Sequence, residues 1–170
     1  MIERVHDMLA IIEQLQSINR SMLNRLRPMA LGHVPLRDIL CELVRDRARQ
    51  YPQIDFSVCA DNLMRSYGDS VDLTIYRCVQ ESLTNIIRHA QARHVSIDLG
   101  EVASDANGGP QLALTVRDDG CGVNPMAEPG FGLRGMQERA QALGGRCQVD
   151  SARGDGTSIR IMIPLRERTS

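Results

Sequence analysis

Four short motifs that combine glycine with carboxylate, amide or hydroxyl residues follow one another along this chain. They are Glu81-Ser-Leu-Thr-Asn85 running on to Arg88-His89-Ala90, then Asp118-Asp-Gly-Cys-Gly122, Gly130-Phe-Gly132 and Gly154-Asp-Gly156-Thr157. Oxygen side chains suit a hard cation such as Mg²⁺, whereas glycine turns and cationic side chains suit phosphate groups. Any one motif is common, but four in this order, each where a predicted helix or strand ends, predict a pocket for a nucleotide triphosphate.

The composition argues against several other classes of function. The chain has 170 residues, a formal net charge of −1, no Trp and 3% aromatic residues, so we expect no nucleic-acid partner. No apolar run reaches the roughly 18 residues that span a bilayer. The five cysteines are widely spaced and lack a C-x-x-C pair, which argues against disulfides and zinc. We expect a cytoplasmic location, in a parent protein that could still be anchored in the inner membrane.

Residue parity places one carboxylate on the covered side of the sheet. In the segment 112–118 the alternation that points Leu114 and Val116 inward also points Asp118 inward, and Thr157 shares the inward parity of Ile159. A buried carboxylate is costly unless something donates hydrogen bonds to it. A flat ring with an amino group, such as adenine, would satisfy both polar side chains. The alternative is that Asp118 caps the following Asp-Gly turn.

The segment of about 70–90 predicts a helix with two different faces. At about 100° per residue, a carboxylate, an amide and two potential cations gather opposite an apolar face. The polar residues are Glu81, Asn85, Arg88 and His89, and the apolar ones are Ile75, Val79, Leu83, Ile86 and Ala90. An ordinary solvated side is the alternative. The mixture favours a Mg²⁺-triphosphate site, in which Asn85 binds the metal while Arg88 and His89 meet phosphate oxygens.

Two glycines, Gly130 and Gly132, stand immediately before a predicted helix over about 133–144. Glycines let the backbone approach an anion, and the free N–H groups at a helix start, here at Leu133, favour phosphate. The preceding segment 124–129 contains two prolines and would form a short flap over the phosphates. A glycine loop without a ligand is the alternative.

Period-two alternation predicts five strands, each with a single apolar face. Helices are predicted over 36–50 and over the two segments just described. One apolar face per strand predicts an α+β fold, a two-layer sandwich of a five-stranded sheet and about three helices. A long helix over 2–26 precedes this sandwich, and its narrow apolar seam is typical of helices that pair with a partner helix.

The four motifs resemble, in order, the N box and the three glycine boxes of the ATPase superfamily that includes gyrase, mismatch-repair ATPases, a heat-shock chaperone and sensor histidine kinases. That resemblance implies a Bergerat-type ATP-binding fold with a mixed sheet, and the cofactors ATP and Mg²⁺. More narrowly, the chain is similar to two-component sensor histidine kinases of the nitrate-sensor and hexose-phosphate-sensor class. The segments that carry this similarity are Leu26-Arg27-Pro28, Val79 to Ala90, Gly130 to Arg139, and Leu143-Gly-Gly145.

The resemblance also implies a role for each site residue. Asp118 would bind the adenine amino group, Thr157 would support the ring through water, and Asn85 would hold Mg²⁺. Glu81 would orient a metal-bound water or assist proton transfer. Arg88 stands where many members have lysine, which keeps the charge but changes the geometry. The glycines that would shape the nucleotide loop are Gly120, Gly122, Gly130 and Gly132.

A domain organisation follows from the same resemblance. Residues 1–27 would be the second helix of a dimerisation hairpin, through which the parent protein forms a homodimer. Residues 28–35 would be a linker, 36–166 the ATP-binding kinase domain and 167–170 a tail.

The phosphoacceptor is expected to be absent from this chain. His6 with Asp7 imitates the acceptor pair, but it lies too close to Pro28 and lacks the flanking pattern. The expected function is transfer of the ATP γ-phosphoryl group to a histidine elsewhere, for relay to the receiver domain of a response regulator. Two alternatives stay open: a non-catalytic ATP-sensing or scaffold module, and a serine kinase of the anti-sigma-factor type.

Overall fold

The computed structural model describes residues 34–60, 63, 65–103, 109–122 and 131–165. Several predictions fall outside these residues: the helix over 2–26, most of the linker, the flap over 124–129 with Gly130, and the tail. The description below therefore concerns the predicted kinase domain.

The described part of the chain contains five strands and three helices. The helices are α1 (Leu36–Gln50), α2 (Asp69–Asn85), which continues into a π-helical turn (Ile86–Ala90), and α3 (Phe131–Ala142). The strands are β1 (Asp55–Cys59), β2 (His94–Val102), β3 (Gln111–Asp118), β4 (Arg146–Ser151) and β5 (Thr157–Pro164).

The strands form one mixed sheet in the order β1-β2-β3-β5-β4. The strands β1 and β2 are parallel, with α2 in the crossover between them, and every other neighbouring pair is antiparallel. This polarity brings five strand termini to one end of the sheet: the starts of β1, β2 and β5 and the ends of β3 and β4. The predicted mixed, five-stranded sheet is confirmed.

The helices cover one face of the sheet, and the core lies between the two layers. Burial alternates along β2 and β3, where the residues at inward parity are almost fully buried and their neighbours are not. Burial of each such aliphatic side chain contributes about 1.5–3 kcal/mol. The two-layer prediction is confirmed by the fully buried residues of both layers, which include Leu36, Leu40, Ile75, Val79, Leu83, Ile97, Leu112, Leu114, Met136, Ala140, Ile161 and Ile163.

The start of α2 depends on a fully buried carboxylate. Asp72 accepts hydrogen bonds from the Ser66 hydroxyl and, at 3.0 Å, from the backbone N–H of Tyr67. It also lies in the first turn of the helix, where the backbone dipole favours negative charge. These partners compensate the dehydration of Asp72 and fix the point at which the crossover segment becomes helical.

The end of α2 differs from the single helix predicted for about 70–90. The α-helix ends at Asn85, and residues Ile86–Ala90 form a π-helical turn that stops at Gln91, which has a left-handed φ of 54°. Side-chain periodicity cannot reveal this change, because Ile86 and Ala90 are buried as an uninterrupted α-helix would also place them.

The third helix begins two residues earlier than predicted, at Phe131 instead of residue 133, and ends at Ala142. The prediction treated Gly132 as a residue that precedes the helix, which was wrong, because Gly132 lies in its first turn. The helix stops before Gly144, whose φ of 73° is left-handed and favours glycine. None of the helices in the described ranges is both long enough and apolar enough to cross a bilayer.

Candidate functional site

Asp118 ends β3 with its half-buried side chain at the inward parity that the alternation predicted. Its Oδ1 accepts a 2.9 Å hydrogen bond from the N–H of Gly120. Burial raises the pKa of Asp118, and the backbone N–H groups of Gly120 and Thr157 act in the opposite direction. Asp118 therefore does cap its own turn, as the alternative reading held. The cap does not offset its dehydration, so an N–H donor on a ligand would be favourable.

Thr157 lies directly opposite Asp118 in the ladder between β3 and β5. Its hydroxyl is 3.0 Å from that of Ser151 on β4, and Ser151 donates at 2.9 Å to the Gly156 carbonyl. Because Ser151 has one hydroxyl proton, Thr157 donates to Ser151 and keeps its lone pairs for an incoming donor. The sequence analysis expected inward parity for both residues but not that they are partners in the ladder, and Ser151 is a neighbour that it missed.

A hollow of about 560 Å³ opens at this end of the sheet. Asp118, Thr157, Val149 and Ser151 line it at inward parity, together with residues of the strand ends and of the turn before β5. Its lining includes no residue of α2. Arg117, Asp150 and Ser158, which have the opposite parity, also line it, so the hollow lies around the ends of β3, β4 and β5.

The turn after β3 is joined directly to the π-helical turn. The N–H of Cys121 donates at 2.7 Å to the carbonyl of Ala90, and its thiol lies 3.3 Å from the carbonyl of His89. A Cβ on Gly120 would lie 2.7 Å from the Cβ of Ala90, closer than real side chains approach. Gly120 is therefore required for close approach of the two segments. Ala90, which the sequence analysis assigned only to the core, is the residue that makes this contact.

Gly122 continues the same turn in a left-handed conformation. Its φ is 65°, and a Cβ there would lie 2.9 Å from the backbone of Ala152 and 3.0 Å from the Gly156 carbonyl. Only glycine meets both conditions without strain. This turn therefore packs against the loop before β5, which brings two of the predicted glycine motifs together.

Glu81 and Gly132 bring α2 and α3 into contact. A Cβ on Gly132 would overlap the Glu81 carboxylate and lie 2.9 Å from its Cδ. The missing side chain therefore makes room for a half-buried acid beside the first turn of α3. Backbone N–H groups at a helix start favour negative charge, so this position suits an anion.

The remaining predicted site residues occupy the ends of these helices. Asn85 is half-buried at the last position of α2, and Arg88 and His89 are exposed on the π-helical turn. Leu133 is half-buried and packs against the core. Gly130 lies outside the described residues. The structure thus brings Asp118, Thr157 and the glycine turns together at one end of the sheet. The bond from Cys121 to Ala90 joins that end to the π-helical turn that follows α2.

Chemically, this arrangement can bind an elongated ligand with a flat donor group at one end and negative charge at the other. The dehydrated carboxylate and the free hydroxyl lone pairs accept N–H donors at the sheet. Exposed cations and a helix start lie on the helix side.

Asp118→Asn removes a charge that the fold holds in a partly dry position. A raised pKa means that the ionised form destabilises the folded state above pH about 4, the ordinary value for Asp. We expect the ligand-free variant to unfold at a higher temperature than the wild type at pH 7, with the difference vanishing as the pH falls below about 4. ATP affinity should fall at least about tenfold.

Thermal unfolding and calorimetric titration with ATP test this prediction. The control is Asp98→Asn, since Asp98 is exposed at the outward parity of β2, and it should change neither quantity. Wild-type ATP affinity in Asp118→Asn would contradict the adenine assignment.

Gly120→Ala should separate the turn after β3 from Ala90. The added Cβ has no space, so we expect a loss of about 1–3 kcal/mol in the free energy of unfolding in urea, together with weaker ATP binding. Gly100→Ala is the matched control, because a Cβ there meets nothing within 4 Å. Equal losses in the two variants would show that the close contact does not matter.

Two known proteins with related sequences are histidine kinases. The chain is 34% identical over 154 residues to the sensor histidine kinase LiaS of Bacillus subtilis, covering 89% of this chain and 40% of LiaS. It is 31% identical over 165 residues to the signal transduction histidine-protein kinase/phosphatase UhpB of Salmonella typhimurium, covering 92% and 31%. The chain thus spans less than half the length of these relatives. The similarity to UhpB supports the narrower class that the motifs resemble.

The fold is also found among solved structures. The histidine kinase domain of the Erythrobacter litoralis EL346 blue-light activated histidine kinase superposes with a TM-score of 0.61 and 27% identity, over 77% of this chain and 61% of that one. Residues 69–167, which contain all four motifs, match the family of histidine kinase-, DNA gyrase B- and HSP90-like ATPases. The chain belongs to this family and carries an ATP-binding catalytic domain of the histidine kinase type.

Proposed function

We propose that this domain binds ATP·Mg²⁺ and transfers the γ-phosphoryl group to a histidine on a dimerisation hairpin, for relay to a response regulator. The observation that carries the proposal is the half-buried Asp118 opposite Thr157, at the sheet end that meets the end of α2. A carboxylate dehydrated in this way favours a neutral donor such as the adenine amino group, and the neighbouring helix ends favour phosphates.

The adenine would lie against the sheet. Asp118 accepts from the amino group, and Thr157 accepts from a bridging water, since its own proton is already donated to Ser151. Gly120 and Gly122 let the turn beside this ring pack directly against Ala90 and Ala152, which would fix the position of the turn. Support for these roles comes from the pKa of Asp118, which burial raises, because its ionised form gains most from a new donor.

The residues of α2 fit a magnesium ion that is shared with the nucleotide. Asn85 and Glu81 are half-buried oxygen donors one helical turn apart. Within the described residues no group of three or more His, Cys, Asp or Glu side chains could hold a metal alone. Mg²⁺ is commonly bound by one or two protein oxygens plus substrate phosphates. Asn85 would hold the ion, and the bound Mg²⁺ would neutralise part of the charge on the phosphates.

The phosphates would lie between the π-helical turn and α3. Arg88 and His89 are exposed and can turn towards anionic oxygens. The first turn of α3, with Gly132 and Leu133, has N–H groups that the helix itself cannot pair. Gly130, next to this turn in the sequence, would bind phosphate in the same proposal.

In the transfer, the bond from the γ-phosphorus to the β–γ bridging oxygen breaks as a bond to an imidazole nitrogen forms, and ADP leaves. Arg88, and His89 when it is protonated, would balance the charge on the phosphate oxygens of the departing ADP. Glu81 would accept the imidazole proton or orient a water, and the room that Gly132 leaves for its carboxylate at the helix start supports this role. Positioning supplies the remainder of the rate enhancement.

The acceptor histidine, the response regulator and a homodimer formed through the N-terminal helix belong to the same proposal. The domain organisation assigned from the sequence is part of it: 1–27 hairpin helix, 28–35 linker, 36–166 kinase domain and 167–170 tail.

Transfer can be measured with γ-labelled ATP, Mg²⁺ and a separately supplied hairpin that contains a phosphoacceptor histidine. We expect acid-labile, base-stable label on the hairpin with the wild-type chain, and none with Asp118→Asn. ATP binding without transfer would overturn the kinase proposal in favour of an ATP-sensing module. Acid-stable label on a serine would overturn it in favour of a serine kinase.

Asn85→Ala should remove the contribution of Mg²⁺ to ATP binding. We expect the apparent Kd for ATP with Mg²⁺ to rise by about tenfold, and the Kd in EDTA to stay the same, because only the metal contact is lost. Thr84→Ala is the control, since the Thr84 hydroxyl bonds the Gln80 carbonyl within the helix. An unchanged response to Mg²⁺ in Asn85→Ala would remove Asn85 from this role.

A further inference from the structure

Asp119, the residue after the proposed adenine ligand, is bound tightly to the start of β2. Its Oδ1 accepts hydrogen bonds from the backbone N–H groups of Arg93, at 2.7 Å, and His94, at 2.9 Å. Its Oδ2 lies 2.6 Å from the Nδ1 of His94. Its own N–H donates to the His94 carbonyl at 3.3 Å. An exposed residue in a turn seldom has this many partners from one distant segment.

These bonds extend the β2–β3 ladder beyond its last pair. Val95 is the register partner of Asp118, so His94 and Asp119 form the next step at the sheet end. The alternation that points Asp118 inward points Asp119 to the other side of the sheet. The two neighbouring carboxylates therefore face opposite environments, one dehydrated under the helices and one bonded at the open face.

The two environments have opposite energetic effects. Burial raises the pKa of Asp118, whereas the hydrogen bonds from His94 and Arg93 lower the pKa of Asp119 to about 2. The charge on Asp118 would be better solvated if the turn opened towards water. The charge on Asp119 is stabilised by hydrogen bonds that exist only while the turn is closed. Asp119 therefore stabilises the closed turn, in which Asp118 is dehydrated.

We propose that Asp119 is a positioning residue for adenine recognition, and that it acts, with His94 as its partner, by holding the turn that presents Asp118. The inference rests on the proposed role of Asp118, and it adds a function to a residue outside the nucleotide pocket. Asp119 touches neither ring nor phosphate in this arrangement. Its effect must therefore appear as a loss of discrimination at the purine amino group.

The test compares ATP with inosine triphosphate, which lacks the amino group, in calorimetric titrations of the full chain. A hydrogen bond to a charged group corresponds to a preference of about 10- to 100-fold for ATP in the wild type. Asp119→Ala should reduce this preference to about threefold or less. Asp119→Asn keeps an oxygen that accepts from both backbone N–H groups, so it should retain most of the preference.

The ratio of the affinities for ATP and inosine triphosphate separates positioning from general destabilisation. A less stable fold would weaken the binding of both nucleotides equally and leave this ratio unchanged. Asp118→Asn is the reference. If it leaves the preference for ATP intact, the adenine assignment itself is wrong. If it abolishes the preference but Asp119→Ala does not, the positioning proposal alone is overturned.

His94→Ala provides a second test in case Asp119→Ala does not fold. It removes one of the bonds to Asp119 and leaves the backbone donors, so the preference should fall by roughly two- to fivefold. Circular dichroism first establishes that each variant is folded at the temperature of titration. If Asp119→Ala is unfolded, a wild-type preference in folded His94→Ala would contradict the partner role of His94 and overturn the proposal.

Discussion

A carboxylate held where water cannot fully solvate it is the constraint on which the rest of the site depends. Asp118 reaches that position because strand parity and the end of β3 coincide. One hydrogen bond from its own turn does not restore what burial removes. The surrounding architecture serves to keep this residue in place: Thr157 across the ladder, Gly120 against Ala90, and Asp119 against the start of β2. In the proposed function, a ligand that brings an N–H group would relieve the dehydration, and selectivity would follow from that relief.

Topology explains why distant motifs meet. The crossover through α2 returns the chain to the end of the sheet where β2 begins, and the antiparallel neighbours end and start there too. Asn85, Asp118 and Thr157 come from three separate segments, yet each lies at the terminus of an element that reaches this one edge. The fold therefore assembles a composite site without any long loop within the described residues.

Much of the fold and part of the site could be predicted from the sequence. Alternation gave the strands and the inward parity of Asp118 and Thr157, because a sheet covered on one face forces a period of two. Helical periodicity gave the apolar face of α2. The π-helical turn could not be predicted, since Ile86 and Ala90 are buried with either helix geometry. Gly132 was misplaced because glycine is usually read as a helix breaker, whereas here its missing side chain accommodates Glu81. The hydrogen bonds of Asp119 depend on how β2 and β3 are aligned in the sheet, and the sequence does not reveal that alignment.

The π-helical turn has a consequence for how the chain tolerates change in length. It fits one more residue into its turn than an α-helix does, and it directs the Ala90 carbonyl to the N–H of Cys121. Five residues of a π-helical turn cover about the rotation that four residues cover in an α-helix. Deleting a single residue between Ile86 and Ala90 would therefore convert this segment to regular α-helix while the preceding side chains, Asn85 among them, keep nearly the same direction relative to that anchor.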